Sequence, residues 1–422
     1  MVKRVLMIAF HYPPMQGSSG IQRALKFSQY LPQSGWQPLV LSAHPRAYPD
    51  TSADQVAEVP AGLAVCRSAA WDAARHFAVR GRYPSLLAQP DRWISWWLSA
   101  VPAGLRLIRQ HRPDVIWSSY PIATAHLVAL TLQRLSGLPW IADQRDPLTE
   151  PGFPLDGRTR RIHQWLERQA AQRSAAIVCT TAGAMRACQD RHPQLTDERL
   201  RLIENGYDED NFRDAAAAAT PGAARGRVFR LLHSGLIYPS ERDPRFLFAA
   251  LQTLQAGGDI GPDNFRLVLR AHGHDDFLRP LIDRYGVGAL VELAPPLPYQ
   301  AALAEMLAAD GLLLLQAANC NHQIPAKLYE YLRARRPILA LTDPSGDTAA
   351  TLRRAGIDTI GMLDSEPDIV SALLRFLRLA RQGAAPLAGQ AAIARHSRAA
   401  RTQELAALLD EVSVRAKNSE KK

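Results

Sequence analysis

The chain has 422 residues, of which 47% are hydrophobic and 21% charged, and its formal net charge is +10. This length fits two domains of ordinary size, and the composition is that of a globular protein rather than a disordered or membrane-spanning one. No apolar run is long enough to cross a bilayer. Residues 1–10 are followed at once by His11-Tyr-Pro-Pro, so a buried first strand is favoured over a signal peptide.

The net charge and the cysteines limit which partners and which cellular compartment are expected. A basic protein favours anionic partners such as nucleotide sugars, acidic lipids or nucleic acid. Nucleic acid is not expected, because no nucleic-acid-binding motif accompanies the charge. The cysteines have neither metal-site nor redox spacing, which indicates a reducing cytoplasm and no structural metal. They are Cys66, Cys179, Cys188 and Cys320.

Strand-like apolar runs alternate with helix-length segments along the whole chain. In the first half these runs are Val5–Phe10, Pro38–Leu41, Val115–Ser118, Trp140–Ala142 and Ala176–Cys179. In the second half they are Phe229–His233, Phe265–Ala271, Val291–Leu293, Gly311–Leu315 and Ile338–Leu341. The alternation predicts an α/β fold with two Rossmann-like, doubly wound domains. Ligands of such sheets bind beyond the carboxyl ends of the strands, here in a cleft between the two domains.

The domain boundaries follow from a change in composition. We place the N-terminal domain at residues 1–212 and a linker at 213–227, an Ala-rich run with Pro-Gly and no apolar periodicity. The C-terminal domain then covers residues 228–388. A helix is predicted over residues 389–416, expected to pack back on the N-terminal domain, and residues 417–422 form a basic tail.

Two polar segments follow strands of the first half. Gly17 and Gly20 would let the backbone approach a ligand closely, although their spacing does not match the dinucleotide fingerprint GxGxxG. Asp143, Arg145 and Asp146 follow a buried strand, where a cleft residue should lie. Their carboxylates and guanidinium could hold sugar hydroxyls or form a structural ion-pair cluster, and spacing does not separate the two interpretations.

Three tryptophans, Trp93, Trp96 and Trp97, cluster beside Arg92. Tryptophan and arginine favour the interface of an anionic membrane, so this segment is a candidate acceptor or membrane contact. The alternative is that the three indoles pack within the N-terminal domain. The Pro-Ala-Gly break at residues 102–104 weakens a long membrane-surface helix and favours that alternative.

The second half repeats the pattern of a strand followed by small residues. His233-Ser-Gly235 follows its first strand, and Arg242 and Arg245 come shortly after. A glycine beside a diphosphate and a nearby arginine form a chemically sensible pair. His272-Gly273 follows the next strand in the same way.

The segment from Gly311 to Leu341 says most about function. It predicts a strand, a polar loop, a helix that begins at Pro325, and a second strand at Pro337–Leu341. The free N–H groups and dipole of the helix start form an anion site. Lys327 could meet an anion and Glu330 could accept hydrogen bonds from sugar hydroxyls. The alternative is an ordinary strand–helix–strand unit with a solvated Lys and Glu.

Together with Glu204-Asn-Gly-Tyr-Asp208, and in this order and spacing, these segments resemble the retaining glycosyltransferases of family 4, which have the GT-B fold. The resemblance implies a nucleotide-sugar donor held mainly by the C-terminal domain, with Glu330 at the ribose. The Gly17–Gly20 loop would approach the phosphates or the acceptor. The residues implied at the diphosphate are Ile324, Pro325, Lys327 and Leu328. No metal or other cofactor is implied, because arginines and helix N–H groups stabilise the departing diphosphate.

The chain departs from this family at three positions. The family usually has an acidic pair, E-x7-E; Glu330 matches the second position, whereas His322 occupies the first, where the residue normally contacts the donor sugar. The Arg and Lys that often follow the first strand of the second domain are represented by Arg242 and Arg245, with no Lys. Asp143 stands where many members place a His near the reacting sugar, so Asp143, Arg145 and Asp146 are the candidate catalytic residues.

The function implied is retaining transfer of a hexose-type unit to a saccharide or lipid-linked acceptor in bacterial-type surface polysaccharide biosynthesis. The enzyme would act in the cytoplasm, as a peripheral protein on the inner face of an anionic membrane. One alternative is a nucleotide-sugar 2-epimerase of the same fold. Another is a catalytically degenerate scaffold, which His322 favours. A nicotinamide oxidoreductase is disfavoured by the absence of GxGxxG.

Overall fold

The computed structural model describes residues 2–17, 19–150, 153–218 and 228–419. The chain divides into two compact units. Unit 1 comprises Met1–Asn205 and Arg398–Lys422, and unit 2 comprises Gly206–Ser397.

Unit 1 is built on a seven-stranded parallel sheet. Its strands are β1 (Lys3–Ile8), β2 (Trp36–Ala43), β3 (Ala64–Ser68), β4 (Val115–Ser119), β5 (Trp140–Gln144), β6 (Ala176–Cys179) and β7 (Leu200–Leu202). The spatial order is β3-β2-β1-β4-β5-β6-β7, so the strand order reverses between β1 and β4. The connecting helices are α1 (Ser19–Tyr30), α2 (Ala53–Ala57), α3 (Ala73–His76), α4 (Trp96–His111), α5 (Ala123–Ser136), α6 (Gly157–Arg173) and α7 (Ala182–Arg191). Short 3₁₀ helices cover Leu31–Ser34, Pro45–Ala47 and Ser85–Ala88.

Unit 2 repeats this architecture with a six-stranded sheet of order β10-β9-β8-β11-β12-β13. Its strands are β8 (Phe229–Ser234), β9 (Phe265–Arg270), β10 (Val291–Ala294), β11 (Gly311–Leu315), β12 (Ile338–Leu341) and β13 (Ile360–Gly361). Its helices are α8 (Glu209–Ala218), α9 (Arg245–Ala256), α10 (Asp275–Tyr285), α11 (Tyr299–Ala308), α12 (Lys327–Ala334), α13 (Asp347–Arg354), α14 (Glu366–Arg381) and α15 (Gln390–Arg395), with a 3₁₀ helix at Ala318–Cys320.

The central strands are mostly apolar because helices cover both faces of each sheet. Successive side chains of a strand point to opposite faces. In β1, Leu6 and Ile8 join one apolar cluster, while Val5 and Met7 join the cluster on the other face. The leucines of β11 divide between the two clusters of unit 2 in the same way. The sheets therefore confirm the predicted doubly wound fold.

The chain returns to unit 1 at its C-terminal end. The predicted helix over residues 389–416 is two helices: α15 belongs to unit 2, and α16 (Arg398–Ser419) belongs to unit 1. The side chains of Leu405 and Leu409 on α16 are buried in the same cluster as Val5 of β1. Trp36 Nε1 also donates to Asp410 Oδ1 at 3.0 Å.

The boundary between the units differs from the predicted linker at residues 213–227. Residues 209–218 form α8, whose Phe212 is buried in a core cluster of unit 2. The division therefore falls at Asn205 and Gly206. Residues 219–227 of the predicted linker and residues 420–422 of the predicted tail lie outside the described residues.

The three tryptophans of residues 93–97 pack inside unit 1, which corrects their placement at a membrane or acceptor. Trp96 is fully buried, and its Nε1 donates to Ser68 Oγ at 2.9 Å. Trp97 Nε1 donates to Thr131 Oγ1 at 3.0 Å. The ring of Trp93 lies 5.0 Å from that of Phe10. Each indole thus packs its ring in the core or against it. Among the described helices, none is long and apolar enough to cross a membrane.

Candidate functional site

The main polar cluster of unit 2 lies where β8 and β11 are neighbours. The chain runs from β8 to β9 and β10 on one side, and β11 lies on the other side, so the strand order reverses here. A crevice for ligands is expected at the carboxyl ends of strands at such a point. His233 lies in β8, near its carboxyl end, and Lys327 begins α12, the helix that follows β11.

His233 and Lys327 meet across this point. Lys327 Nζ lies 3.1 Å from His233 Nε2, and His233 Nδ1 lies 2.9 Å from the carbonyl oxygen of Leu313. A carbonyl only accepts, so Nδ1 carries the proton and Nε2 accepts from the lysine. Burial, and next the charge of Lys327, lower the pKa of His233 well below its ordinary value. His233 is therefore a neutral positioning residue for the lysine amine.

The charge of Lys327 is held in an unfavourable environment. Burial, and next the charge of Arg242, lower its pKa well below the ordinary value, while Glu330 acts in the opposite direction. The salt bridges found among the described residues do not include Lys327. A lysine that is desolvated beside another cation is a group whose charge an incoming anion would stabilise.

Gly235 makes this lysine accessible. Its φ is +113°, a conformation that side-chain-bearing residues rarely adopt, and a Cβ there would lie 2.9 Å from Lys327 Nζ. Arg242 is held on the same loop by a 2.7 Å hydrogen bond from its guanidinium to the carbonyl of Leu236. Arg245 instead pairs with Asp243 at 3.0 Å. The structure therefore brings His233, Gly235, Arg242 and Lys327 together and leaves Arg245 paired elsewhere.

Helix α12 begins at Lys327, two residues after the predicted start at Pro325. Ala326 is the N-cap, and the carbonyl of Pro325 accepts a 2.9 Å hydrogen bond from the N–H of Leu328. The side chains of Ile324 and Leu328 are buried in a core cluster. These two residues could therefore meet a diphosphate only through their backbone. His322 is exposed in the preceding loop.

Two tyrosines that the sequence did not single out complete the helix start. Tyr299 OH donates to Glu330 Oε1 at 2.8 Å, which orients the carboxylate predicted to meet the ribose. The fully buried Tyr331 accepts a 2.9 Å hydrogen bond from the N–H of Ser234 and so fixes α12 against β8. The signal for Tyr331 was its position four residues after Lys327, on the same face of the helix.

A cavity of about 900 Å³ adjoins Gly235 and includes His272 and Gly273 in its lining. Its size suits a nucleotide-sized ligand. His272 is buried and its Nε2 lies 3.3 Å from Asp275 Oδ1, while its buried Nδ1 has no hydrogen-bond partner among the described residues. Burial is the main cause that lowers the pKa of His272. A neutral His272 thus presents one ring nitrogen that still needs a partner.

The glycine loop of unit 1 packs against Arg145. A Cβ on Gly20 would lie 3.0 Å from an Arg145 guanidinium nitrogen and 3.2 Å from His11 Nδ1, whereas Gly17 has open space and a φ of +86°. Burial, and next the charge of Arg145, lower the pKa of His11 to about 3. Arg145 also pairs with the half-exposed Asp146 at 2.6 Å. Gly20, His11 and Arg145 therefore form one close cluster.

Asp143 lies in the interior, which assigns it a structural position rather than the predicted place in the cleft. Its two carboxylate oxygens accept from Arg23 Nε and a terminal nitrogen of the same guanidinium, each at 2.8 Å. Both side chains are almost fully buried. Arg23 also donates to the carbonyls of Ile203 and Glu204 at 3.0 and 3.1 Å. Arg23 was not predicted, although it stands three residues after Gly20.

We find no metal-binding site in the part of the chain that the structure describes. No group of three or more His, Cys, Asp or Glu side chains there is arranged to hold a metal ion.

Comparison with known proteins agrees with the fold described above. Residues 20–206 match the family model of the glycosyl transferase 4-like domain. No curated protein sequence matches the chain.

Several solved structures share the fold over the whole chain. HepE of Anabaena, solved with UDP and glucose, has a TM-score of 0.65 at 16% identity, covering 97% of this chain and 100% of that one. The α,α-trehalose 6-phosphate synthase of Burkholderia multivorans has a TM-score of 0.68 at 12% identity, covering 99% and 100%. Sucrose-phosphate synthase of Thermosynechococcus elongatus has a TM-score of 0.64 at 13% identity, covering 99% and 98%. The chain thus has the GT-B fold of these structures, and residues 20–206 of its first unit are similar to the glycosyl transferase 4-like domain.

Proposed function

We propose that the protein transfers a sugar from a nucleotide-sugar donor to an acceptor hydroxyl with retention of the anomeric configuration. One observation carries the proposal: Lys327 and Arg242 lie beside Gly235 where the strand order of unit 2 reverses, and the pKa of Lys327 is lowered. A diphosphate supplies the negative charge that this pair of cations lacks.

The donor is held by unit 2 in this proposal. Its diphosphate meets Lys327, Arg242 and the N–H groups at the start of α12. Its ribose hydroxyls donate to Glu330, which Tyr299 already orients. The nucleoside occupies the cavity beside His272 and Gly273. UDP is the first nucleotide to test, because HepE structures are described with UDP and UDP-glucose.

The chemical step requires a departing diphosphate. The bond between the anomeric carbon and the β-phosphate oxygen breaks, the acceptor oxygen bonds to the same face of the sugar, and the acceptor proton passes to that phosphate oxygen. Fixed cations lower the barrier because negative charge develops on the phosphate as the bond breaks. Lys327 and Arg242 supply this stabilisation in our scheme, and no metal is assigned to it.

The acceptor is a saccharide or a lipid-linked saccharide precursor of a surface polysaccharide, reached at the inner face of the cytoplasmic membrane. The net charge of +10 supports an anionic membrane partner.

The first experiment is a thermal-shift screen of the full chain with UDP, GDP, TDP, ADP and their sugars, without added metal. We expect selective stabilisation by one nucleotide, and a much smaller stabilisation of Lys327→Met at the same concentration of that compound. Release of that nucleoside diphosphate with a saccharide or lipid-linked acceptor would then establish transfer. Isomerised donor in the absence of acceptor would identify an epimerase instead, and binding without any turnover would identify a scaffold.

A further inference from the structure

Unit 1 exposes a set of large apolar side chains on two segments that no part of the donor site uses. Val79 and Leu86 in the segment between α3 and α4 are 75% and 63% exposed, and Leu155 before α6 is 92% exposed. Phe77, Leu87 and Phe153 are also exposed. We call these six residues the apolar face.

The two segments that carry the apolar face are joined by hydrogen bonds. Gln89 Nε2 donates to Thr159 Oγ1 at 2.8 Å, and His163 Nε2 lies 3.0 Å from the carbonyl oxygen of Pro90. An Arg160 guanidinium nitrogen donates to the carbonyl of Phe153 at 3.3 Å. The end of the segment between α3 and α4 therefore lies against the first turns of α6. The segment that carries Phe153 and Leu155 leads directly into the same helix.

The exposed charged side chains around the apolar face are mainly arginines. Residues 71–98 and 153–165 contain seven arginines and three aspartates. Asp72 and Asp91 are turned inward, where they pair with Arg92 and accept from Thr124, and Asp156 caps α6. Arginines at exposed positions are Arg75, Arg80, Arg82, Arg158 and Arg161.

A tight hairpin tip presents two of these arginines. Val79 and Arg82 form an antiparallel bridge around Arg80 and Gly81, whose φ angles are +51° and +75°. Two consecutive positive φ values belong to a type I′ turn, and the side chains of Val79, Arg80 and Arg82 at this turn are exposed. The tip therefore offers Val79 beside Arg80 and Arg82.

We propose that the apolar face and its arginines dock unit 1 onto an anionic lipid surface. This rests on the proposed function, because a lipid-linked acceptor would be met at that surface. Exposed apolar side chains enter the boundary between head groups and acyl chains, and the arginines bind anionic head groups. A second copy of the chain is a less suitable partner for the apolar face, since a self-complementary interface would bring the positively charged arginines of both copies together.

Co-sedimentation of the full chain with lipid vesicles tests this proposal. Vesicles of phosphatidylcholine mixed with phosphatidylglycerol should bind the protein, vesicles of phosphatidylcholine alone should bind it weakly, and high salt should release it. Leu86→Asp and Leu155→Asp should each weaken partitioning about tenfold to a hundredfold. Replacing Arg80 and Arg82 by Glu should weaken it by at least about fivefold per residue. The matched control is Leu135→Asp, since Leu135 is 61% exposed in the last turn of α5.

Three results would overturn the proposal: equal binding to both vesicle types, binding that survives the Leu86 and Leu155 variants, or loss of self-association with Leu86→Asp. The last result would assign the apolar face to a second copy. Thermal stabilisation by UDP is measured in parallel. Vesicle binding without stabilisation by any nucleotide would contradict the proposed function and still support membrane docking. Stabilisation by a nucleotide without vesicle binding would support the proposed function and contradict membrane docking.

Discussion

Lys327 is the residue whose protonation should change when the donor binds. Its folded pKa lies well below 10.5, so between that value and 10.5 the unfolded chain binds more protons than the folded chain. Stability therefore rises with pH through this window, and the full cost of burying the charge is present below it. A bound diphosphate raises the lysine pKa again, because a neighbouring negative charge favours the protonated amine.

Binding of a nucleoside diphosphate should consequently take up as much as one proton. Calorimetric titration with UDP in buffers of different ionisation enthalpy measures this uptake. Lys327→Met should abolish it and weaken binding roughly 10- to 100-fold, the worth of a charged hydrogen bond. Lys327→Arg keeps a permanent charge and should bind without proton uptake. Proton uptake that persists in Lys327→Met would assign it to another group.

Gly235 should be irreplaceable for a different physical reason. Gly235→Ala places a methyl group 2.9 Å from Lys327 Nζ and should lower UDP affinity by about tenfold or more, because the amine must move. Gly286→Ala is the control: Gly286 also has positive φ, +64°, but open space around its Cβ position. It should cost about 1 kcal/mol of stability and leave affinity unchanged. Equal affinity losses in both variants would trace the effect to backbone strain alone.

At the scale of elements, the strands inside the two sheets were predictable, whereas three of the four edge strands in the described part of the chain were not. Ala176–Cys179, Gly311–Leu315 and Ile338–Leu341 have the predicted bounds, because strands covered on both faces are continuous apolar runs. The edge strand β10 was predicted at Val291–Leu293, whereas β3, β7 and β13 have only five, three and two residues. Periodicity carries no signal over such lengths.

The location of the candidate site could be predicted from the sequence, but most of its side-chain contacts could not. His233 and Lys327 were both predicted at the donor site, and the strand order of the structure, with β8 beside β11, shows why they meet there. Sequence could not show that Asp143 turns inward, because its partner Arg23 lies 120 positions away in a helix. The tryptophans of residues 93–97 were ambiguous because an indole suits both a membrane interface and a core with a hydrogen-bond acceptor.

The ion pair between α1 and β5 gives a test at this scale. Asp143→Asn or Arg23→Met leaves one buried partner uncompensated and should destabilise unit 1 by about 3–5 kcal/mol. Asp146→Asn changes a carboxylate that is 45% exposed, so it should destabilise unit 1 by clearly less than either of these variants. Chemical denaturation followed by circular dichroism measures the difference. An Asp143→Asn protein with normal stability and no transferase activity would return Asp143 to a catalytic role.

On the scale of the whole molecule, the chain leaves unit 1, builds unit 2 and comes back. Unit 2 is one continuous stretch, Gly206–Ser397, and it contains Lys327 with all the residues assigned to the donor. Unit 1 is discontinuous, since α16 supplies Leu405, Leu408, Leu409 and Val412 to one of its two clusters. The two units should therefore differ in whether they fold from a single fragment.

The fragment of residues 206–397 should fold alone and bind UDP, whereas the fragment of residues 1–205 should not fold. Burial of the four α16 side chains contributes roughly 6–12 kcal/mol, at about 1.5–3 kcal/mol each. That range is comparable to the whole stability of a typical domain, about 5–15 kcal/mol. Adding residues 398–422 as a peptide, or fusing them to the first fragment, should restore a cooperative unfolding transition. Leu409→Asp in that peptide should prevent the rescue, and Val414→Asp, at an exposed position of the same helix, should not. Cooperative unfolding of the 1–205 fragment by itself would show that α16 only covers a core that residues 1–205 of unit 1 can already build.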